Sequence, residues 1–258
     1  MKLKDKIAVI TGATAGIGKA TAEYFAREGC NLVLIARRVE RLEALKSTLE
    51  EKYKVKVFIG KVDVSDFSQC EAFFNSLPDE LKAPDILVNN AGLAYGMEKL
   101  IEKPVEDIDK MFDVNVKGLI YITNLFVPQM VKKGKGSIVN VGSIAGREVY
   151  PGGNVYCATK HAVKALSRAL RIELVDTPLR VIEIAPGLVE TEFSVVRFKG
   201  DKEKAANVYK GLTPLYPEDI ADLILYTVTR PPHVQINEVI IMPTNQATTT
   251  IIHRENNE

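Results

Sequence analysis

The sequence predicts an α/β fold, a doubly wound parallel sheet with helices on both faces. Three observations carry that reading. Short β-branched and aliphatic runs alternate with longer helical stretches almost from end to end, the pattern of successive βαβ units. These runs are apolar at nearly every position rather than at every second one, so both sheet faces must be covered. A glycine-bearing turn, Thr11 to Gly18, joins the first strand directly to the first helix. No linker, repeat or low-complexity segment divides the 258 residues, and the reading is one domain, 1–258.

The first strand is Lys6–Thr11 (KIAVIT), short and rich in β-branched residues. A helix follows over Gly16–Glu28 and stops at Gly29, the residue type that most easily ends a helix. Asn31–Ala36 (NLVLIA) is the second strand. The charged stretch after it carries Leu42, Leu45 and Leu49 at helical spacing. Val55–Val62 reads as the third strand, and Asp66–Glu80 as a helix opened by an aspartate. Asp85–Val88 (DILV) is the fourth strand and runs into Asn89-Asn90-Ala91-Gly92. One long helix is expected over 105–133, then the fifth strand Gly136–Val141, a strongly periodic helix Asn154–Val175, and the sixth strand Arg180–Ala185, stopped by Pro186-Gly187. Residues 193–216 are polar and break the alternation, so they are expected to form a lid over a ligand cleft. A helix Pro217–Thr229 and a last strand Asn237–Met242 precede an irregular tail.

Composition removes several function classes. Lys and Arg number 34 against 33 Asp and Glu, which leaves no broad positive field for a nucleic-acid partner. Cys30, Cys70 and Cys157 form no CxxC pair, and only three histidines could complete a metal site; no metal is expected, and the thiols read as buried and reduced. The apolar run near the N-terminus is too short for a secretory signal, and nothing approaches the roughly 20 apolar residues of a membrane span. The expected location is cytoplasmic.

The turn Gly12-Ala13-Thr14-Ala15-Gly16-Ile17-Gly18 suits a dinucleotide. Its glycines let backbone approach a pyrophosphate, and the helix N-terminus beyond offers unpaired N–H groups and partial positive charge. The spacing is GxxxGxG, not GxGxxG. At the end of the second strand stand Arg37 and Arg38, with no carboxylate where a ribose 2′-hydroxyl would need one. Arginines there accommodate a 2′-phosphate, so the expected cofactor is NADP(H).

The helix at 154–175 opens with Tyr156-Cys157-Ala158-Thr159-Lys160. Positions 156 and 160 share one helix face, a turn apart. Removing a hydride from an alcohol leaves a hydroxyl proton to be taken. A free tyrosine, with a pKa of about 10, is a poor base at neutral pH; a neighbouring ammonium and an oxidised nicotinamide favour its phenolate. Tyr156 is therefore the expected base for oxidation and acid for reduction. Ser143, directly after the fifth strand, would bind the substrate oxygen. Lys160 would also hold the nicotinamide ribose, and the Asn115 carboxamide would hold a water relaying the proton from Lys160.

Together TGATAGIG, Asp63-Val64, Asn89 to Gly92, the asparagine of DVNVKG, Ser143, YCATK and PGLVET (Pro186 to Thr191) resemble the short-chain dehydrogenase/reductase family over nearly the whole chain. The resemblance implies a Rossmann sheet of seven strands in the order 3-2-1-4-5-6-7, an Asn115–Ser143–Tyr156–Lys160 tetrad, and a homotetramer, or a dimer. It also implies that Asp63 and Val64 lie along the adenine, Asn90 (within the motif ending at Gly92) along the adjoining ribose, and Pro186, Gly187, Val189 and Thr191 against the nicotinamide. GSIAGREVYPGGNVYCATK, VRFKGD and MPTNQA are similar to the NADP-dependent serine and 3-hydroxy acid dehydrogenases, which oxidise the 3-hydroxyl of serine, L-allo-threonine, 3-hydroxyisobutyrate and related acids. A hydroxy acid needs a cation for its carboxylate, and Arg147 and Arg197 are the two expected partners. The alternatives are a reductase of short-chain carbonyls or 3-oxoacyl thioesters with the same tetrad, and a nucleotide-sensing or scaffolding protein without turnover.

Overall fold

A computed structural model describes residues 1–255. Its seven strands lie in the order β3-β2-β1-β4-β5-β6-β7, all parallel, as the resemblance implied. The strands are β1 (Ile7–Thr11), β2 (Asn31–Ala36), β3 (Val57–Lys61), β4 (Ile86–Asn89), β5 (Gly136–Val141), β6 (Leu179–Pro186) and β7 (Glu238–Ile241). Successive strand residues enter opposite cores: Ala8 and Ile10 face one layer of helices, Val9 the other.

On the first face lie α1 (Gly16–Arg27), α2 (Val39–Tyr53) and α10 (Pro217–Val228), which bury Phe25, Leu42, Leu49, Ile220 and Ile224 completely. Burying a side chain of that size contributes roughly 1.5–3 kcal/mol. The second face is covered by α3 (Phe67–Ser76), the single turn α4 (Asp79–Lys82), α5 (Val105–Phe112), α6 (Gly118–Lys133) and α7 (Asn154–Glu173). Phe74 and Phe126 meet edge to face at its centre, 5.1 Å apart.

Two expected helices prove to be divided. The stretch 66–80 breaks at Leu77-Pro78, where the proline cannot donate to the helix ladder. The 105–133 helix contains one π-helical turn, Asp113–Lys117, between α5 and α6. Residues 193–216 carry two short helices, α8 (Glu192–Arg197) and α9 (Lys202–Asn207).

One polar row crosses the second face. Asn89, Asn140, Glu183 and Glu238 are register partners on β4, β5, β6 and β7. Asn89 donates to Thr123 of α6 and to Asn140, and Asn140 donates to Ser167 of α7. The row starts at the C-terminal end of β4 and reaches the first residue of β7.

Candidate active site

Those strand ends border a cleft of about 420 Å³. At its floor the β1–α1 turn needs glycine: Gly12 has φ +66° and Gly16 φ +50°, and a Cβ on Gly12 would stand 2.8 Å from Asn90 Nδ2. Ala15 caps α1 in extended conformation without any side-chain hydrogen bond, and the first turn has no acidic residue. The leading N–H groups therefore keep their capacity for an anion. This is the geometry a pyrophosphate fits. Asn90 ties β4 to the turn, donating from Nδ2 to Thr11 O at 2.8 Å.

Thr14, Ala15, Gly16, Ile17, Arg37, Arg38, Asp63, Val64, Asn90, Gly92, Ser143, Tyr156, Lys160, Pro186, Gly187, Val189 and Thr191 all line the cleft with Gly12. Ala13 and Gly18 do not. Ala13 is fully buried and donates its N–H to Ile35 O; a Cβ on Gly18 would collide with Gly12 O. Both shape the turn from behind.

At the β2 end, Arg38 donates from Nε and Nη2 to Thr14 Oγ1 at 3.2 and 3.1 Å. Its Nη1 lies 2.8 Å from Glu192, which also takes a 2.7 Å bond from Arg41. These bonds hold the Glu192 carboxyl below its ordinary pKa. Arg37 lies 3.8 Å from Asp63. Burial would raise the Asp63 carboxyl, but hydrogen bonds from Ser65 and the Lys110 ammonium outweigh it, and the pKa is lowered. Thr14, Arg37 and Arg38 are the residues here that could hold a 2′-phosphate.

At the other end, Tyr156 and Lys160 stand on the first turns of α7. Lys160 Nζ donates to Val141 O at 2.8 Å and lies 5.9 Å from the Tyr156 ring centroid. Burial lowers the Lys160 pKa to about 8, and the charge of Glu183 acts against the fall. Enclosure raises the Tyr156 phenol and the neighbouring Tyr150 adds to it; Arg197 and the Ser143 hydroxyl pull it back. Ser143 is buried, and its Oγ accepts from Ala145 N at 3.1 Å.

Asn115 stands buried in the π-helical turn. Its Oδ1 accepts from Leu93 N, while Nδ2 donates to Leu93 O and to Thr159 Oγ1. Both amide protons are taken, and the carboxamide stitches the β4 loop to α7. It remains close to the reactive groups: a Cβ on Gly92 would lie 3.3 Å from Asn115 Oδ1 and 3.6 Å from Lys160 Nζ.

The two arginines separate. Arg147 does not line the cleft; its guanidinium grips Glu183 through both terminal nitrogens and reaches Glu238 at 2.9 Å. With its charge committed inside the fold, it is withdrawn as a substrate partner. Arg197, at the end of α8, lines the cleft. Nη2 donates to Tyr150 Oη at 2.7 Å, and its Nε is enclosed without a hydrogen-bond partner among the described residues. Tyr150, Phe193, Tyr209 and Thr249 also line the cleft. Sequence reading missed them, although Tyr150 stands midway between Ser143 and Tyr156 beside a Pro-Gly-Gly turn.

A model of the short chain dehydrogenase family matches residues 6–202. The chain belongs to that family. It is 47% identical over 255 residues, 98% of each chain, to an NADP-dependent 3-hydroxy acid dehydrogenase of Schizosaccharomyces pombe. It is 42% identical over 242 residues to a sulfoacetaldehyde reductase of Chromohalobacter salexigens, covering 93% of this chain and 95% of the relative. A serine dehydrogenase solved with NADP⁺ superposes with a TM-score of 0.90 at 43% identity, covering 96% of this chain and 100% of that one.

Proposed function

We propose that this protein is an NADP(H)-dependent oxidoreductase acting on the 3-hydroxyl of small hydroxy acids such as serine, L-allo-threonine or 3-hydroxyisobutyrate, or reducing the matching 3-oxo acids. The observation that carries it is one cation, Arg197, seated beside Tyr156 in a cleft that also contains a phosphate-cradling turn. Bound at that turn, NADP⁺ supplies the acceptor for a hydride. Tyr156 takes the hydroxyl proton, or returns it in reduction. Ser143 holds the substrate oxygen against Tyr156, and Lys160 binds the cofactor ribose and favours the phenolate. Arg197 grips the acid group through Nε and a terminal nitrogen, fixing which carbon faces the cofactor.

The test is reduced-nicotinamide absorbance with NADP⁺ against 3-hydroxy acids, neutral alcohols of the same length and 3-hydroxyacyl thioesters. Turnover confined to the thioesters would overturn the reading. A guanidinium also suits a sulfonate, and the C. salexigens relative is named for a sulfonated aldehyde, so a 2-hydroxyalkanesulfonate belongs in the panel as a second reading. Among the described residues no helix is long and apolar enough to cross a membrane. With it we propose a cytoplasmic homotetramer, checked by fractionation and by light scattering.

A further inference from the structure

Arg197 is held by its backbone as well as by its guanidinium, and both holds lead to one loop outside the cleft. Gly96, in the loop after β4, donates its N–H to Arg197 O at 2.8 Å. The same loop packs on the turn that follows Tyr150, the hydrogen-bond partner of Arg197 Nη2: a Cβ on Gly152 would meet Met97 O at 2.5 Å. Gly96 has φ +62°, a backbone state that glycine adopts at little cost. Lys103 braces the loop, its buried ammonium donating to Tyr95 O at 3.0 Å and to Glu98 Oε2 at 2.6 Å.

A second bond joins α8 to this side of the fold. Lys199, two residues beyond Arg197, places Nζ 2.8 Å from Asp107 Oδ2 in the first turn of α5. Asp107 is buried, and its Oδ2 has no other hydrogen-bond partner among the described residues. The dipole of α5 favours an acid in its first turn, but the exposed Glu106 beside it already meets that need. A buried carboxylate is costly unless paired, so moving α8 away from α5 leaves that charge alone. Lys199 also closes α8 in a left-handed state, φ +51°; its N–H bonds Val196 O, and that of Gly200 bonds Val195 O. Glycine is the favoured residue at such a helix end, yet lysine stands there and glycine one residue later. Neither Lys199 nor Asp107 lines the cleft, so an effect of the pair on substrate passes through the segment that carries Arg197.

We propose that Asp107 and Lys199 are positioning residues for the acid substrate: their ion pair latches α8 onto α5 and, with the Gly96–Arg197 bond, fixes how far the Arg197 guanidinium reaches toward Tyr156. The inference rests on the acid-anchoring role given above to Arg197. Preference for an acid over a neutral alcohol then depends on a charge pair outside the cleft. With the latch open, Arg197 keeps Tyr150 and the aromatic rings as neighbours but loses its fixed place, and the acid group binds less well. The proton and hydride steps, which belong to Tyr156, Ser143 and Lys160, do not involve the pair.

The experiment measures kcat and KM with NADP⁺ for a 3-hydroxy acid and for a neutral alcohol of equal length, in wild type, Lys199→Met, Lys199→Arg and the double variant Asp107→Asn/Lys199→Met. The chain contains no tryptophan, so Phe198→Trp introduces a single reporter beside Arg197. Its quenching by acrylamide, in the wild-type and double-variant backgrounds, reads the exposure of α8. KM for the acid should rise about tenfold in Lys199→Met with kcat within about twofold, since a misplaced positioning group costs up to about 10²-fold. KM for the neutral alcohol should hold. Lys199→Arg keeps the charge and should retain the wild-type KM for the acid. The double variant leaves no buried charge unpaired and should match Lys199→Met, with a more readily quenched reporter; it keeps the test open should the single variant not fold. Equal losses on acid and alcohol, an unmoved acid KM in the double variant, unchanged quenching, or a Lys199→Arg as impaired as Lys199→Met overturns the proposal. A wild type that does not oxidise 3-hydroxy acids would instead defeat the functional reading, while the quenching still tests the latch.

Discussion

The Arg197 guanidinium lies 4.9 Å from the centroid of the Tyr156 ring and 5.2 Å from that of Phe193. A cation over aromatic faces is attracted by about 0.5–2 kcal/mol, so Arg197 holds its place with one neutral side-chain hydrogen-bond partner, Tyr150, and no carboxylate among the described residues. Its remaining donors stay available for an acid group. Arg197→Ala should therefore raise KM for 3-hydroxy acids and lower kcat/KM by about 10²-fold or more, since charge-assisted hydrogen bonds contribute about 1.5–3 kcal/mol each. Neutral alcohols of equal length should lose little. Equal losses on both substrate types would remove Arg197 as the acid anchor.

Tyr156→Phe keeps the ring that packs on Phe193 at 5.5 Å and deletes only the hydroxyl. General acid–base catalysis contributes about 10²–10⁴-fold. The variant should lose at least that much of kcat in both directions, with NADPH affinity unchanged by fluorescence titration. Retained turnover would take the proton-transfer role away from Tyr156.

Oxidation and reduction should respond oppositely to pH. Enclosure raises the Tyr156 phenol in the free protein, so oxidation, which consumes phenolate, should accelerate as pH rises through neutrality. Reduction uses the protonated phenol and a charged Lys160, whose pKa is lowered to about 8; its rate should be level below that value and decline above it. Paired profiles of kcat/KM, one per direction, check the sign. Parallel profiles would mean that one shared step, such as cofactor release, governs both.

The strand–helix alternation made the sheet legible because period and apolar content depend on local sequence. Its breaks were less visible. Pro78 does mark a helix end, but the π-helical turn at Asp113–Lys117 has an unremarkable local sequence and is fixed by Asn115 bonding to Leu93 and Thr159, residues far away in the chain. Arg147 and Arg197 looked equivalent as sequence. What separates them is tertiary: Glu183 lies 36 residues beyond Arg147 and meets it through β6, whereas Arg197 stands against the rings of Tyr156 and Phe193 and makes no salt bridge among the described residues. A lone arginine carries no sign of whether its counter-charge is inside the protein or arrives with a ligand.

The same distinction yields a prediction for the cofactor. Arg38 divides its donors between Thr14 and Glu192, and Glu192 is shared with Arg41. A 2′-phosphate seated on Thr14 and Arg38 must compete with that carboxylate, because both are acceptors for one guanidinium and like charges repel at short range. Glu192→Gln should therefore tighten NADPH, with NADH affinity nearly unchanged since NADH brings no charge to this corner. Arg38→Gln should weaken NADPH by about 10- to 10²-fold, the value of one charge-assisted contact, again with little effect on NADH. Titrating both cofactors against the two variants separates the terms. Glu192 bridges α8 to α2 as well, so a purely structural role would loosen NADH and NADPH together in Glu192→Gln; only the opposition between carboxylate and phosphate tightens one and spares the other.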